Sequence, residues 1–367
     1  MQAIVRSLAV VLFAAAGIAS AHAACDGKTP CVTDTAIAYP DQTPSSTHGD
    51  MQHGSAQGST HEITFNHNGG DSFWITAPIY ATVVEIAPSG AQRFFPMPAG
   101  SGPHGIAFDK DSLLYVSLEL AQQVVRLDPG SGKIVQTYTV SADPHGLGIG
   151  PDGKTVWFTG KTRNTVGKIL PNGSAVNFHL ATANALPIYI VPGPDGNMWF
   201  TELTGNKIGR VTPSGTITEF PIPTPNSRPI ALVQDPSAPA IWFSEEAGNK
   251  VGRIDMKGKI VEFAVPKSQK NVILAALSFD SEENLWVQQY VDQNNPNPAG
   301  ADHIVKIGKS ILTAKPSDRL SFTAYEVPTR QTVMHRIIQG PDKNMWFTEL
   351  KADRIGQVKL KTQAAMK

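Results

Sequence analysis

The stretch PIYIVPGPDGNMWFTELTGNKIGRVTPSGTITEFPIP, running from Pro187 to Pro223, decides the fold. It contains four short β-like runs: Ile188–Pro192, Asn197–Glu202, Lys207–Thr212 and Thr216–Ile222. Turn residues separate them, at Gly193-Pro194-Asp195-Gly196, Thr204-Gly205-Asn206 and Pro213-Ser214-Gly215. The wording recurs from Pro144, from Pro229 and, shortened, from Met334. No copy carries a long stretch with helical periodicity. Four strands in a repeat of about 42 residues is the pattern of a β-propeller blade.

Repeat starts fall near His61, Pro103, Pro144, Pro187, Pro229, Leu274 and Met334, which predicts an all-β, seven-bladed propeller of four-stranded blades. Insertions at Asp292–Asp302 and Lys309–Leu320 lengthen the sixth copy. The last copy lacks a fourth strand. Upstream, Thr35–Pro40 reads TAIAYP, like the fourth-strand runs TITEFP and KIVEFA. That segment is expected to supply the missing outer strand and close the ring, so that no sheet edge is left open.

The rest of the chain bounds the setting. It has 367 residues and zero formal net charge, which argues against nucleic acid or an anionic membrane as the main partner. Arg6 precedes an apolar run from Leu8 to Ile18, followed by Ala21-His22-Ala23. This reads as a signal peptide over 1–23, giving a periplasmic or secreted protein with no membrane span. Residues 24–60 read as an N-terminal segment with the closing strand and a His-containing linker, and 61–367 as the propeller. Cys25 and Cys31 suit a local disulfide in an exported chain, with a lipid anchor on Cys25 as the rival reading. His48, Met51, His53, His61 and His67 fall in one stretch, a composition able to hold Cu or Zn but also that of a linker.

The repeat also places side chains. In a blade the first strand leaves one face of the disc and the second returns to it. The residue opening the first strand is His104, His145, Ile188, Ile230, Ala275 or His335, and in the first copy His61. The residue closing the second is Glu202, Glu245 or Glu349, with Gln289 and Gly160 in the sixth and third copies. Blades seven, one, two and three should therefore present an arc of histidines, opposite an apolar arc. That is a rim suited to an amphipathic small molecule, unless PHG is simply a good way to enter an inner strand. The last copy alone pairs a His with a Glu in these positions. His335 and Glu349 could form an acid–base pair, or Glu349 could ligate a hard cation. The bland alternative is that the Glu of WFTE only bonds neighbouring backbone.

Together PHGI, GPDGxxWFTE and NKIGRI resemble the streptogramin (virginiamycin B) lyase family, from about His61 to Leu360. The resemblance implies a Mg2+-assisted elimination that opens the ester of a cyclic depsipeptide antibiotic without water. It matches the family's final-blade His and the Glu that follows it to His335 and Glu349, catalytic residues with Glu349 as metal ligand. Two family positions depart: Val333 stands where an acid is expected, and Ala275 where a His is expected. An acid two before a rim His occurs instead at Asp143, so Asp143, His104 and His145 are candidate substrate-binding residues. The insertion Asp292–Asp302 should hang over the same face. The expected function is an exported lyase, expected monomeric, acting on a cyclic ester or lactone. The rivals are a non-catalytic binding propeller and a lactone hydrolase.

Overall fold

The computed structural model describes residues 30–40, 42–45, 58–295 and 299–360. The segment read as a signal peptide, Cys25, His48, Met51 and His53 lie outside them. Cys31 is disulfide-bonded.

The described residues form seven four-stranded antiparallel sheets. Six are built from four consecutive strands each. The fourth blade has strands Pro187–Pro192, Met198–Glu202, Lys207–Val211 and Ile217–Pro221, close to the runs read from the sequence. The innermost strand of each blade lies against that of the next. The inner strand of blade one, Ile63–Phe65, touches those of blade two, Pro103–Phe108, and blade seven, Met334–Gln339, so the ring is closed.

Closure is made by the N-terminal segment, but earlier in the sequence than expected. Cys31–Ala36 pairs antiparallel with Arg354–Lys359 as the outer strand of blade seven. The Asp34 carboxylate ties the two strands, accepting from Arg354 Nη2 at 2.6 Å. Ile37 and Tyr39, whose alternation suggested a strand, leave the ladder and bury themselves with Ile63 and Ile355. Their apolar side chains gain more between blades one and seven than at an exposed edge.

The repeated letters have separate jobs. Trp199 and Phe200, adjacent on one strand, lie on opposite faces of the sheet and are both fully buried. Trp199 stacks on Phe220 of the outer strand at 5.6 Å, and its indole N–H donates to Asp195 of the PDG turn at 3.0 Å. Phe200 faces Gly209 across the ladder, and a Cβ there would sit 2.1 Å from the ring. The Gly of NKIGR is therefore the space that the Phe occupies.

The Thr of WFTE joins the blades. In blade seven the Thr348 hydroxyl accepts from the Arg336 N–H at 3.0 Å and donates to the His61 carbonyl of blade one at 2.7 Å. Thr76 and Ser117 donate likewise to the carbonyls of His104 and His145, at 2.6 and 3.0 Å. In blades two and seven the hydroxyl sits at a register shift of its own inner strand, between Pro103 and Ile106 and between Met334 and Ile337, and in all three it grips the rim residue of the next blade. These bonds carry the histidines into place.

Candidate functional site at the histidine arc

His335, His61, His104 and His145 follow one another around the axis. Successive ring centroids are 3.6, 4.0 and 3.6 Å apart. Across from them Ile188, Ile230 and Ala275 share one apolar cluster. The division of the rim read from the sequence is thus a feature of the structure. Gly105 and Gly146, which follow two of the histidines, allow the close approach: a Cβ at either would lie 2.5–2.6 Å from the backbone of the next blade.

The arc is buried and electrically uneven. His61, His104 and His145 are 2–5% exposed, while His335 is only partly buried. Burial, reinforced by the neighbouring His61, lowers His335 to about 3. Burial and the adjacent rings likewise hold His104 and His145 well below their ordinary range. All three imidazoles are neutral near pH 7.

The carboxylate beside His335 and His61 is Glu62. Burial alone would raise Glu62, but Arg336 and the hydrogen bonds from His335 and His61 outweigh it and keep Glu62 well below the usual range. Its Oε1 is 3.0 Å from His335 Nε2, and its Oε2 is 2.5 Å from Arg336 Nε. An ionised carboxylate only accepts, so Nε2 carries the proton and Nδ1 of His335 keeps its lone pair. Arg336 then crosses toward blade four and stacks on Tyr189, with its guanidinium carbon 3.6 Å from the ring centroid.

Glu349 sits elsewhere. It closes the second strand of blade seven, paired with Met334, and is fully buried. Its electrostatic neighbours are Asp34, Arg354 and Asp302, whereas those of His335 are His61, Glu62 and Arg336. The two sets share no member, and no hydrogen bond joins Glu349 to His335 among the described residues. Burial, then Asp34, pushes the Glu349 carboxyl well above its ordinary value. Its blade-four and blade-five counterparts, Glu202 and Glu245, are pushed up to about 8, again mainly by burial. The Glu of WFTE is thus a recurring buried acid.

The Asp143 carboxylate accepts from the backbone N–H groups of Thr162 and Arg163 and ties down that turn. The residue after the WFTE position, which no repeated wording marks, also meets the arc. In blade two that residue is Glu119, which groups with His104 and His145. In blade three it is Lys161, whose Nζ is 4.0 Å from Glu119. Side chains alternate along a strand, so a shift of one residue reverses the face. Asn271 meets the inserted segment of blade six through Asp292, and Lys351 of blade seven donates to Gln293 at 3.3 Å, so the described part of the insertion reaches the adjoining edge of blade seven. A separate cleft of about 570 Å³ opens at the opposite ends of the inner strands, beside Phe65, His67 and Lys343, and none of the arc residues lines it.

Residues 55–294 match the virginiamycin B lyase family. The fold is similar to that of selenomethionine-substituted virginiamycin B lyase from Staphylococcus aureus, with 26% identity and a TM-score of 0.72 over 90% of this chain and 99% of that one. A catalytically inactive variant of the S. aureus enzyme with quinupristin is similar at 25% identity and TM-score 0.71, covering 90% of this chain and 99% of that one. Hydrazine synthase of Kuenenia stuttgartiensis shares the fold at 15% identity and TM-score 0.66, over 85% and 98%. A comparison with curated protein sequences finds no match.

Proposed function

The chain belongs to the virginiamycin B lyase family, and from that membership we propose that it opens a cyclic ester by elimination at the histidine arc. His335 is the proton acceptor and Glu62 its orienting partner. The observation that carries this reading is the 3.0 Å contact between them, on the least buried histidine of the arc. Glu62 fixes the ring with Nδ1 unprotonated and stabilises the imidazolium that forms, which is the work of a carboxylate behind a general base. The acceptor takes a proton from the carbon next to the one bearing the ester oxygen. The C–H electrons form a C=C bond, the C–O bond breaks, and the carboxylate departs without water.

Mg2+ is the ion the family resemblance implies, and it takes oxygen ligands in an octahedron. Both Glu62 oxygens already meet His335 and Arg336. Neither Glu349 oxygen has a hydrogen-bond partner among the described residues, but burial raises this carboxyl well above its ordinary value, which disfavours the charged form a hard cation needs. These side chains do not form a Mg2+ cage. Glu62 replaces Glu349 in the proposal, while His104 and His145 line the polar side of the substrate site. Asp143 shapes it only through the turn it holds.

Export is part of the proposal, supported by Arg6, the run Leu8–Ile18 and Ala21-His22-Ala23. A non-catalytic ligand-binding propeller is the second reading. It is favoured by the lowering of His335 to about 3, which makes it a weak base at neutral pH. Incubation with a type B streptogramin, with and without Mg2+, separates the readings by mass. A linear product of unchanged mass means elimination, and gain of one water means lactone hydrolysis. Absence of any product overturns the lyase reading. Where turnover is seen, His335→Ala is expected to abolish it.

A further inference from the structure

The arc contains two groups with the make-up of a transition-metal site. A ring nitrogen of His104, one of His145 and a carboxylate oxygen of Glu119 lie within 4.8 Å of one another, and so do His61, Glu62 and His104. His104 belongs to both and can serve only one. Its Nδ1 is 3.2 Å from the His145 carbonyl, and a carbonyl only accepts, so Nδ1 carries the proton and a single lone pair remains on Nε2.

The surroundings choose between the groups. Glu62 is committed through both oxygens, to His335 and to Arg336. His145 is 5% exposed, and its Nδ1 has no hydrogen-bond partner among the described residues. A buried polar nitrogen without a partner is costly unless something binds it. The backbone carbonyl that fixes the His104 tautomer is the outer-shell device by which metal-binding histidines are oriented.

We propose that His104, His145 and Glu119 bind a divalent ion of the zinc class between blades two and three. Two neutral imidazoles and one carboxylate suit Zn2+ or Co2+ and are poor ligands for Mg2+. Around a tetrahedral ion with bonds of about 2.0–2.1 Å, ligand atoms are about 3.3 Å apart, so the three need only draw together by about 1.5 Å or less. Three protein donors leave a fourth position for water or a ligand oxygen. Lys161, 4.0 Å from Glu119, is the charge the ion must displace. The site shares His104 and His145 with the proposed substrate side of the arc but not the proton acceptor or its partner, so ion binding is read without turnover and can fail while the lyase reading stands.

The test is titration of the full chain, stripped with a chelator, with Zn2+, Co2+ and Mg2+, using calorimetry and the visible ligand-field bands of Co2+. The expected result is one Zn2+ per chain, Co2+ bands of a four- or five-coordinate site, and no displacement by a hundredfold excess of Mg2+. Glu119→Gln and His145→Asn should each weaken Zn2+ at least tenfold, with thermal unfolding used to confirm that each is folded. Lys161→Met should bind Zn2+ more tightly, and His61→Asn should change binding less than threefold. Absence of stoichiometric Zn2+ in the wild-type protein overturns the proposal. So does loss of binding in His61→Asn with retention in Glu119→Gln, which would assign the ion to the other group.

Discussion

Replacement of Glu62 by Gln tests the centre of the propeller most directly. The Glu62 and Arg336 side chains are 9% and 6% exposed and 2.5 Å apart. Gln keeps the shape and removes the charge, leaving a guanidinium buried without its counterion. Breaking one side of a buried pair costs about 3–5 kcal/mol. The Tyr189 ring stays against Arg336 in the variant, and a desolvated cation–π contact is worth about 2 kcal/mol, so the loss should fall at the lower end, about 3 kcal/mol. Adding Arg336→Met removes the stranded charge. The double variant should recover part of that loss, with a coupling of about 2 kcal/mol between the sites. Urea unfolding, followed together by tryptophan fluorescence and far-ultraviolet circular dichroism, supplies the free energies, provided the two transitions coincide. A single-variant loss below about 1 kcal/mol, or strict additivity in the double variant, refutes the view that this pair holds the axis together.

The pH dependence of stability should show two opposed limbs. His104, His145 and His335 have lowered folded-state values, so below about 6.5 the unfolded chain binds more protons and stability falls as pH drops, for His335 by about 1.4 kcal/mol per unit down to about 3. Glu202, Glu245 and Glu349 have raised values, so stability falls as pH rises above about 4.5, for Glu202 and Glu245 by a similar amount per unit up to about 8. The limbs offset one another between about pH 4.5 and 6.5, and urea midpoints should form a plateau there. A midpoint still rising from pH 7 to 8 would contradict this, and Glu202→Gln should flatten the alkaline limb. Thr348→Val strands the Arg336 N–H and the His61 carbonyl, and should cost about 1–3 kcal/mol in the same assay. A cost near zero would mean that the hydroxyl does not tie blade seven to blade one.

The fold was legible because a period written several times averages out local ambiguity. The blade from Pro187 matches its reading to within a residue at most strand ends. The closing strand was read four residues late, since Ile37 and Tyr39 alternate like a strand yet are buried outside the ladder. The histidine arc was legible because the letter after each Pro keeps one structural position. Its carboxylates were not. Glu62 lies in the least regular copy, where no repeated wording marks it. Glu119 follows the WFTE position, where the copies carry Pro, Glu, Lys, Leu and Tyr and no pattern shows. The repeated Glu drew attention because it recurs, and it recurs in blades that have no histidine at all.

The ring is fastened by Cys31–Ala36 against Arg354–Lys359, so the first and last described strands complete one sheet. During synthesis the outer strand emerges early, and its partner emerges only after every other blade has been made. Six sheets can zip up locally, but the seventh waits for a loop of nearly the whole chain to close. The entropy of that closure grows only slowly with loop length, so the delay is one of order and not of cost. Until then blade seven keeps an unpaired edge and the Glu62–Arg336 contact has no fixed geometry. Axis and seam therefore mature together, and a nick or truncation at either end of the chain should disarm the centre without touching any residue in it.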